Sequence, residues 1–175
     1  MIRTDRRLWK LMLYSIFSFG IYTILFWVLF IKDTDTLNQT EKPMKKTIIL
    51  AALAVVTIFI FHLIWVLGLE KFVPASGDLL DMIYSVYMYA FSFFGLCIYY
   101  WIWIFNMGDA VQTAGEELGI KVAPGGGGVL AWLLFGSFII IGPLLCHYYL
   151  IRNMNQVAEA YNKKLSKKTK VVAND

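Results

Sequence analysis

Ionisable side chains inside apolar stretches are the first place to look for chemistry in this chain. Charge at membrane depth is costly, and where it occurs it usually serves a site. Two histidines qualify. His62 lies between Phe61 and Leu63, in the middle of one apolar run, and His147 lies near the end of another. Two imidazoles could share a metal or pass a proton. Neither has a carboxylate or a second ligand at helical spacing in its own run, and their depths differ. A neutral ring bonded to a neighbouring helix accounts for both, and His62 is the candidate intramembrane polar site.

The other reactive residues point nowhere else. Cys97 and Cys146 each sit inside an apolar run, outside any CxxC or Cys/His spacing, so they read as free, packed thiols. Glu116 and Glu117 are adjacent, and a helix turns such neighbours apart. Asp78 and Asp81 read as helix caps. Gly125–Gly128 follows Pro124 but lacks the lysine and hydroxyl of a phosphate loop, so a flexible hinge is expected there. No catalytic, cofactor-binding or metal residues are assigned. The chain is expected not to be an enzyme.

The tail carries the clearest charge feature. Lys163, Lys164, Lys167, Lys168 and Lys170 follow an amphipathic stretch. Each cation near an anionic leaflet contributes about 1 kcal/mol of attraction. The nearby membrane makes anionic lipid headgroups, rather than nucleic acid, the expected partner. A membrane-protein partner or a second copy of the chain is also compatible.

These residues are carried by an apolar framework. Of 175 residues 59% are apolar and 16% charged, with a net charge of +4 and mean hydropathy +0.62. Soluble domains run at roughly 45–50% and 25%. Four hydrophobic segments, 11–31, 47–69, 82–105 and 128–151, each reach the ~30 Å of a bilayer core as helices. The fold class is therefore all-α, a single polytopic membrane domain, because lipid obliges the backbone to bond to itself. The first segment exceeds a signal-peptide core and lacks a cleavage site after it. Gly20 and Gly142-Pro143 interrupt the first and fourth segments, so each either spans or breaks and re-enters. Two further stretches, 106–119 and 151–168, have apolar stripes at helical spacing. Met107, Val111, Ala114 and Leu118 form one, with Gly119 expected to stop it; Ile151, Met154, Ala158, Tyr161 and Leu165 form the other. Each stripe either lies on the membrane surface or packs on a neighbour. Tyr22, Trp27, Trp65, Tyr99–Trp103, Tyr148 and Tyr149 suit interfacial anchoring. Ala51, Ala52, Ala54, Ala90 and Gly95 would allow close helix contacts.

Segments one and four echo each other. Each has a mid-segment glycine, Gly20 or Gly142, then aromatics, Trp27 or Tyr148-Tyr149, then a polar exit, Asp33 or Asn155. The run Arg6-Arg7-x-Trp9, Gly20-Ile21-Tyr22, Trp27 and a polar exit resembles the bacterial membrane family catalogued as domain of unknown function 4234. The stretch from Gly142-Pro143 through Tyr149 to Asn153–Asn155 is similar to that family's later segment. Asp33 and Asp35 stand where the family pattern has asparagine. The resemblance implies a small protein of the bacterial inner membrane and no activity, cofactor or binding residues.

Charge orients the chain. Four straight spans with both ends inside place eleven Lys and Arg in the cytoplasm and five outside. If segments one and four dip in and return, fifteen lie inside and only Lys71 outside. Both arrangements put both termini in the cytoplasm, and four spans is the expectation. The expected function is that of a non-enzymatic accessory or scaffold protein touching lipid. The alternative is a small transporter or channel subunit for a solute, ion or lipid, since broken helices often line binding sites.

Overall fold

The breaks in the first and fourth apolar segments shape the molecule. The computed structural model describes residues 1–64 and 78–172, with the side chains of 61, 62, 64, 78–85, 88, 89, 91, 92, 139, 171 and 172 outside that description. The described residues are all-α: α1 (Leu8–Phe17), α2 (Ile21–Leu37), α3 (Lys42–Ile64), α4 (Asp78–Glu117), α5 (Gly126–Gly136) and α6 (Gly142–Val172), with a 3₁₀ turn at Ser137–Ile139. Two compact units divide the chain, 1–45 with 104–175, and 46–103.

Segment one is two helices. α1 stops at Ser18, Phe19 and Gly20 adopt positive φ of 51° and 86°, and α2 starts at Ile21. Gly20 takes that left-handed conformation without steric cost. Its N–H donates to Ser15 O (2.8 Å), and the Ser18 hydroxyl accepts from Tyr22 N (2.9 Å), which caps the returning helix. The arms are antiparallel. Thr23 Oγ1 donates to Ser15 Oγ at 2.5 Å, and the Tyr14 and Tyr22 rings meet edge-on at 5.1 Å.

Segment four repeats the plan. α5 runs into the 3₁₀ turn, Ile140 takes φ 65°, and α6 returns from Gly142. A Cβ on Gly136 would lie 2.6 Å from Gly142 Cα, so only glycines allow the arms this close. Trp132 and Tyr149 pack across them at 6.0 Å. Of the two forms left open for segments one and four, straight or broken, the structure shows both broken: glycine and left-handed residues at each turn let the segment pair with itself.

In the 46–103 unit, α3 and the first part of α4 pair through polar groups on otherwise apolar helices. Thr57 Oγ1 and Tyr99 OH share a hydrogen bond of 2.8 Å, and Trp103 Nε1 donates to Thr47 Oγ1 at 3.1 Å. Among the described residues one stretch, Lys42–Ile60 (mean hydropathy 1.8), is long and apolar enough to cross a membrane. Its side chains are mostly exposed, as suits lipid rather than a protein core. Ala51, Ala52 and Ala90 are exposed and an added Cβ on Gly95 would meet nothing, so these four do not mediate close contact within the chain, whereas Ala54 is half-buried. Trp65 and the loop at 70–77, with Lys71, fall outside the described residues, as do the Asp78 and Asp81 side chains.

The other unit buries its core at the base of the hairpins. α4 continues unbroken to Glu117, so 106–117 does not turn aside as a separate surface helix. Met107, Val111 and Ala114 are fully buried, with Ile151, Met154 and Ala158 of the second stripe. Phe30, Ile104, Val129, Leu150 and Val157 belong to the same core. Internal packing therefore accounts for both stripes, although Leu165 is exposed. Gly119 ends α4 as expected, with φ 73° and Ile120 N donating to Gly115 O at 3.0 Å. The four glycines form the N-cap and first turn of α5 rather than a hinge. A Cβ on Gly126 would lie 2.7 Å from Asp109 N and Phe105 O of α4.

Candidate functional site

Arg6 occupies the junction of the two hairpins and the N-terminal segment. Its side chain is 5% exposed and its guanidinium pairs with Asp33 on α2. It also donates to Arg3 O (2.6 Å) and lies over the Phe30 ring, 5.7 Å from the centroid. Burial pushes the Arg6 pKa down, against the upward pull of Asp33. An arginine nevertheless stays protonated, so the pair is ionic. From the other hairpin, Asn155 Nδ2 donates to Arg6 O at 2.8 Å.

The sequence echo acquires a physical meaning here. Asp33 stands thirteen residues after Gly20, and Asn155 thirteen after Gly142. Each glycine opens the returning arm of its hairpin, so the equivalent turns of α2 and α6 hold one residue from two sides. Thr34 and Met154, beside them, are in contact at 3.9 Å between Oγ1 and Sδ.

Further polar groups tie the chain together around this point. Asn162 grips the backbone of Ile2 twice, accepting its N–H (2.9 Å) and donating to its carbonyl (2.7 Å). Residues 1–7 thus lie antiparallel to α6 as a strap. Asn153 Nδ2 donates to Pro124 O (2.8 Å), and Asn38 Nδ2 to Ala110 O (3.1 Å). Among the described residues, Asn153 Oδ1 and Asn155 Oδ1 are buried acceptors with no partner. Asp35 accepts from Met44 N at 3.0 Å and so caps the first turn of α3. Burial raises its pKa, opposed by that hydrogen bond.

Beside the junction a cleft of about 600 Å³ opens between the strap, α1 and α6. Its lining includes Arg6, Arg7, Trp9, Tyr148, Arg152 and Glu159. Its size falls in the range of ligand-binding clefts.

The residues expected to form sites lie elsewhere. Lys163, Lys164, Lys167, Lys168 and Lys170 are all exposed on the last turns of α6. Lys163 reaches Glu159 at 2.7 Å and holds that carboxyl below its usual range. Lys164 and Lys168 border a small cleft of about 170 Å³ with Glu117 and Tyr161. His62 falls on α3, and its side chain lies outside the described residues. His147 Nδ1 lies 2.6 Å from Pro143 O, and its ring packs on Trp27 at 5.4 Å. Cys146 is buried and Cys97 half-buried, both as free thiols. Among the described residues no cluster of three His, Cys, Asp or Glu could hold a metal. Sequence reasoning did not assign Arg7 or Arg152 to a site. The Arg6-Arg7 pair before an apolar run was the available signal.

Comparison with known proteins agrees with the resemblance read from the sequence. Residues 6–73 match the family described as Domain of unknown function (DUF4234). The match begins at Arg6 and takes in the first hairpin and α3. The similar stretch at 142–155 lies outside the matched residues. No curated protein and no solved structure matches the chain.

Proposed function

We propose that this chain is a non-enzymatic protein of the bacterial inner membrane, which contacts lipid through two helical hairpins inserted part-way from the cytoplasmic side. The observation that carries this reading is the exposure of the hairpin ends. Phe19 is 98% exposed, Phe138 87% and Ile140 86%, with Ile16 and Phe17 beside the first turn. Apolar tips of this kind on a packed base suit burial in acyl chains. Length supports partial insertion. The ten residues of α1 and eleven of α5 give arms of about 15–17 Å, about half the ~30 Å hydrocarbon core. Charge supports the same arrangement, since re-entrant hairpins leave fifteen of sixteen Lys and Arg on one side.

In this reading α3 and the apolar part of α4 are the spans, and both termini are cytoplasmic. The hairpins act as wedges in one leaflet, and the tail lysines add attraction to anionic headgroups. That combination fits a scaffold that organises lipid or neighbouring membrane proteins.

Single cysteines at Gln39, Ser76 and Phe19 test it. Membrane-impermeant thiol reagent added outside intact cells is expected to label 76 and spare 39. A fluorophore at 19 is expected to be quenched by lipids labelled on their acyl chains. Labelling at 39 from outside, or water-exposed fluorescence at 19, would overturn the reading.

A further inference from the structure

We propose that the cleft between α1 and α6 binds one anionic glycerophospholipid, with its phosphate held by Arg7 and Arg152 and its acyl chains on the apolar faces of those helices. The proposal rests on the reading that both hairpins enter lipid from the side of the termini. It concerns a defined, saturable site rather than the diffuse attraction of the tail.

Charge is the first argument. Arg7 and Arg152 face one cleft. Among the described residues neither is in an ion pair: Asp33 is taken by Arg6, and Glu159, which also lines the cleft, by Lys163. A phosphate in the cleft could take paired, charge-assisted hydrogen bonds from both guanidinium groups.

The backbone supplies a second, independent argument. Arg7 is the N-cap of α1, its side chain makes no capping hydrogen bond, and the first turn carries no acidic residue. The leading N–H groups of α1 and the positive end of its dipole therefore meet the same cleft, a favourable setting for an anion.

The third argument separates a lipid from a free anion. Next to Arg7, Leu8, Met12 and Ile16 climb α1 at four-residue steps; from Arg152, Tyr148 and Leu144 climb α6 in the same direction, with Ile141 just beyond its first residue. Met12, Ile16, Tyr148, Leu144 and Ile141 are all exposed. The apolar tracks thus begin at the two cations and run toward the hairpin ends. Trp9 and Tyr148, amphipathic rings suited to headgroup level, flank the start.

Native mass spectrometry of the full chain in mild detergent tests the site, with phosphatidylglycerol or phosphatidylcholine added. One phosphatidylglycerol is expected to be retained, and phosphatidylcholine far less. R7Q/R152Q is expected to lower phosphatidylglycerol retention at least about tenfold. Replacing the five tail lysines with glutamine should leave it unchanged. If R7Q/R152Q does not fold, as judged by circular dichroism, Met12→Trp is read instead. It fills the cleft while keeping both charges, and the same loss is expected. Equal retention of both lipids, unchanged retention in the cleft variants, or loss in the tail variant would overturn the proposal. So would complete displacement by inorganic phosphate, which would mark a simple anion site. A quenched fluorophore at position 19 alongside unchanged retention in R7Q/R152Q would sink the cleft and leave hairpin insertion standing. A water-exposed fluorophore there would sink the hairpin reading itself.

Discussion

Arg6 is held by both hairpins, through its side chain and through its carbonyl. Its pair with Asp33 joins the N-terminal strap to α2, and its carbonyl joins the strap to α6. Breaking a buried ion pair on one side leaves a charge without its partner, which costs roughly 3–5 kcal/mol. Asp33 is about a quarter exposed, so Asp33→Ala is expected near the lower end, about 3 kcal/mol. Asp33→Asn keeps an acceptor and should cost less. Thermal unfolding in detergent orders the two, and an Asp33→Ala protein as stable as the parent would show that the pair is no brace. At this scale the sequence was partly legible. The Arg6-Arg7 motif and the echoed exits at Asp33 and Asn155 marked residues that the structure uses. Their mutual contact was not readable, since a partner 27 or 149 positions away leaves no local periodicity.

Helix boundaries came from glycine in two different ways. Gly119 and Gly20 act through backbone conformation, which the sequence signals well because few other residues take a left-handed φ. Gly126 acts through space. A Cβ there meets the backbone of α4, which cannot yield as a flexible side chain would. Gly126→Ala is therefore expected to destabilise by about 1–3 kcal/mol. Gly127, with nothing within 4 Å of an added Cβ, is the control. Gly127→Ala should leave stability unchanged or raise it by roughly 0.4–1 kcal/mol. Unfolding in parallel would check both, and equal effects would mean that α5 and α4 are not in close contact. A four-glycine run reads as a hinge in isolation because nothing local reveals the helix lying against it. Ala51 and Ala52 of α3 show the converse: both are exposed, and spacing that permits close approach does not summon a neighbour.

The C-terminal helix serves two ends of the molecule's organisation. Up to Asn162 it is part of the packed unit, with Val157 and Ala158 fully buried and Asn162 holding Ile2. Beyond that it is an exposed, lysine-rich extension. Deleting 166–175 is expected to leave the melting temperature in detergent unchanged. Deleting 157–175 should lower it sharply, since loss of Val157 alone forfeits roughly 1.5–3 kcal/mol of burial. Equal melting of both truncations would refute the division of α6 into a structural and a free part.

Composition, segment length and stripe spacing by themselves determined an all-helical chain with apolar runs of bilayer length, with Gly119 as a stop and two amphipathic stretches that need cover. These properties follow from local physics: lipid-length apolar runs, 3.6-residue periodicity and glycine's backbone freedom. Only the tertiary structure decided that segments one and four turn back on themselves. A straight helix and a helical hairpin of the same residues satisfy their backbones equally well, so local terms leave the choice open. The contacts that settle it are Ser15 with Thr23, Trp132 with Tyr149, Gly136 against Gly142, and Asp33 with Arg6. Each exists only once the chain has already reversed.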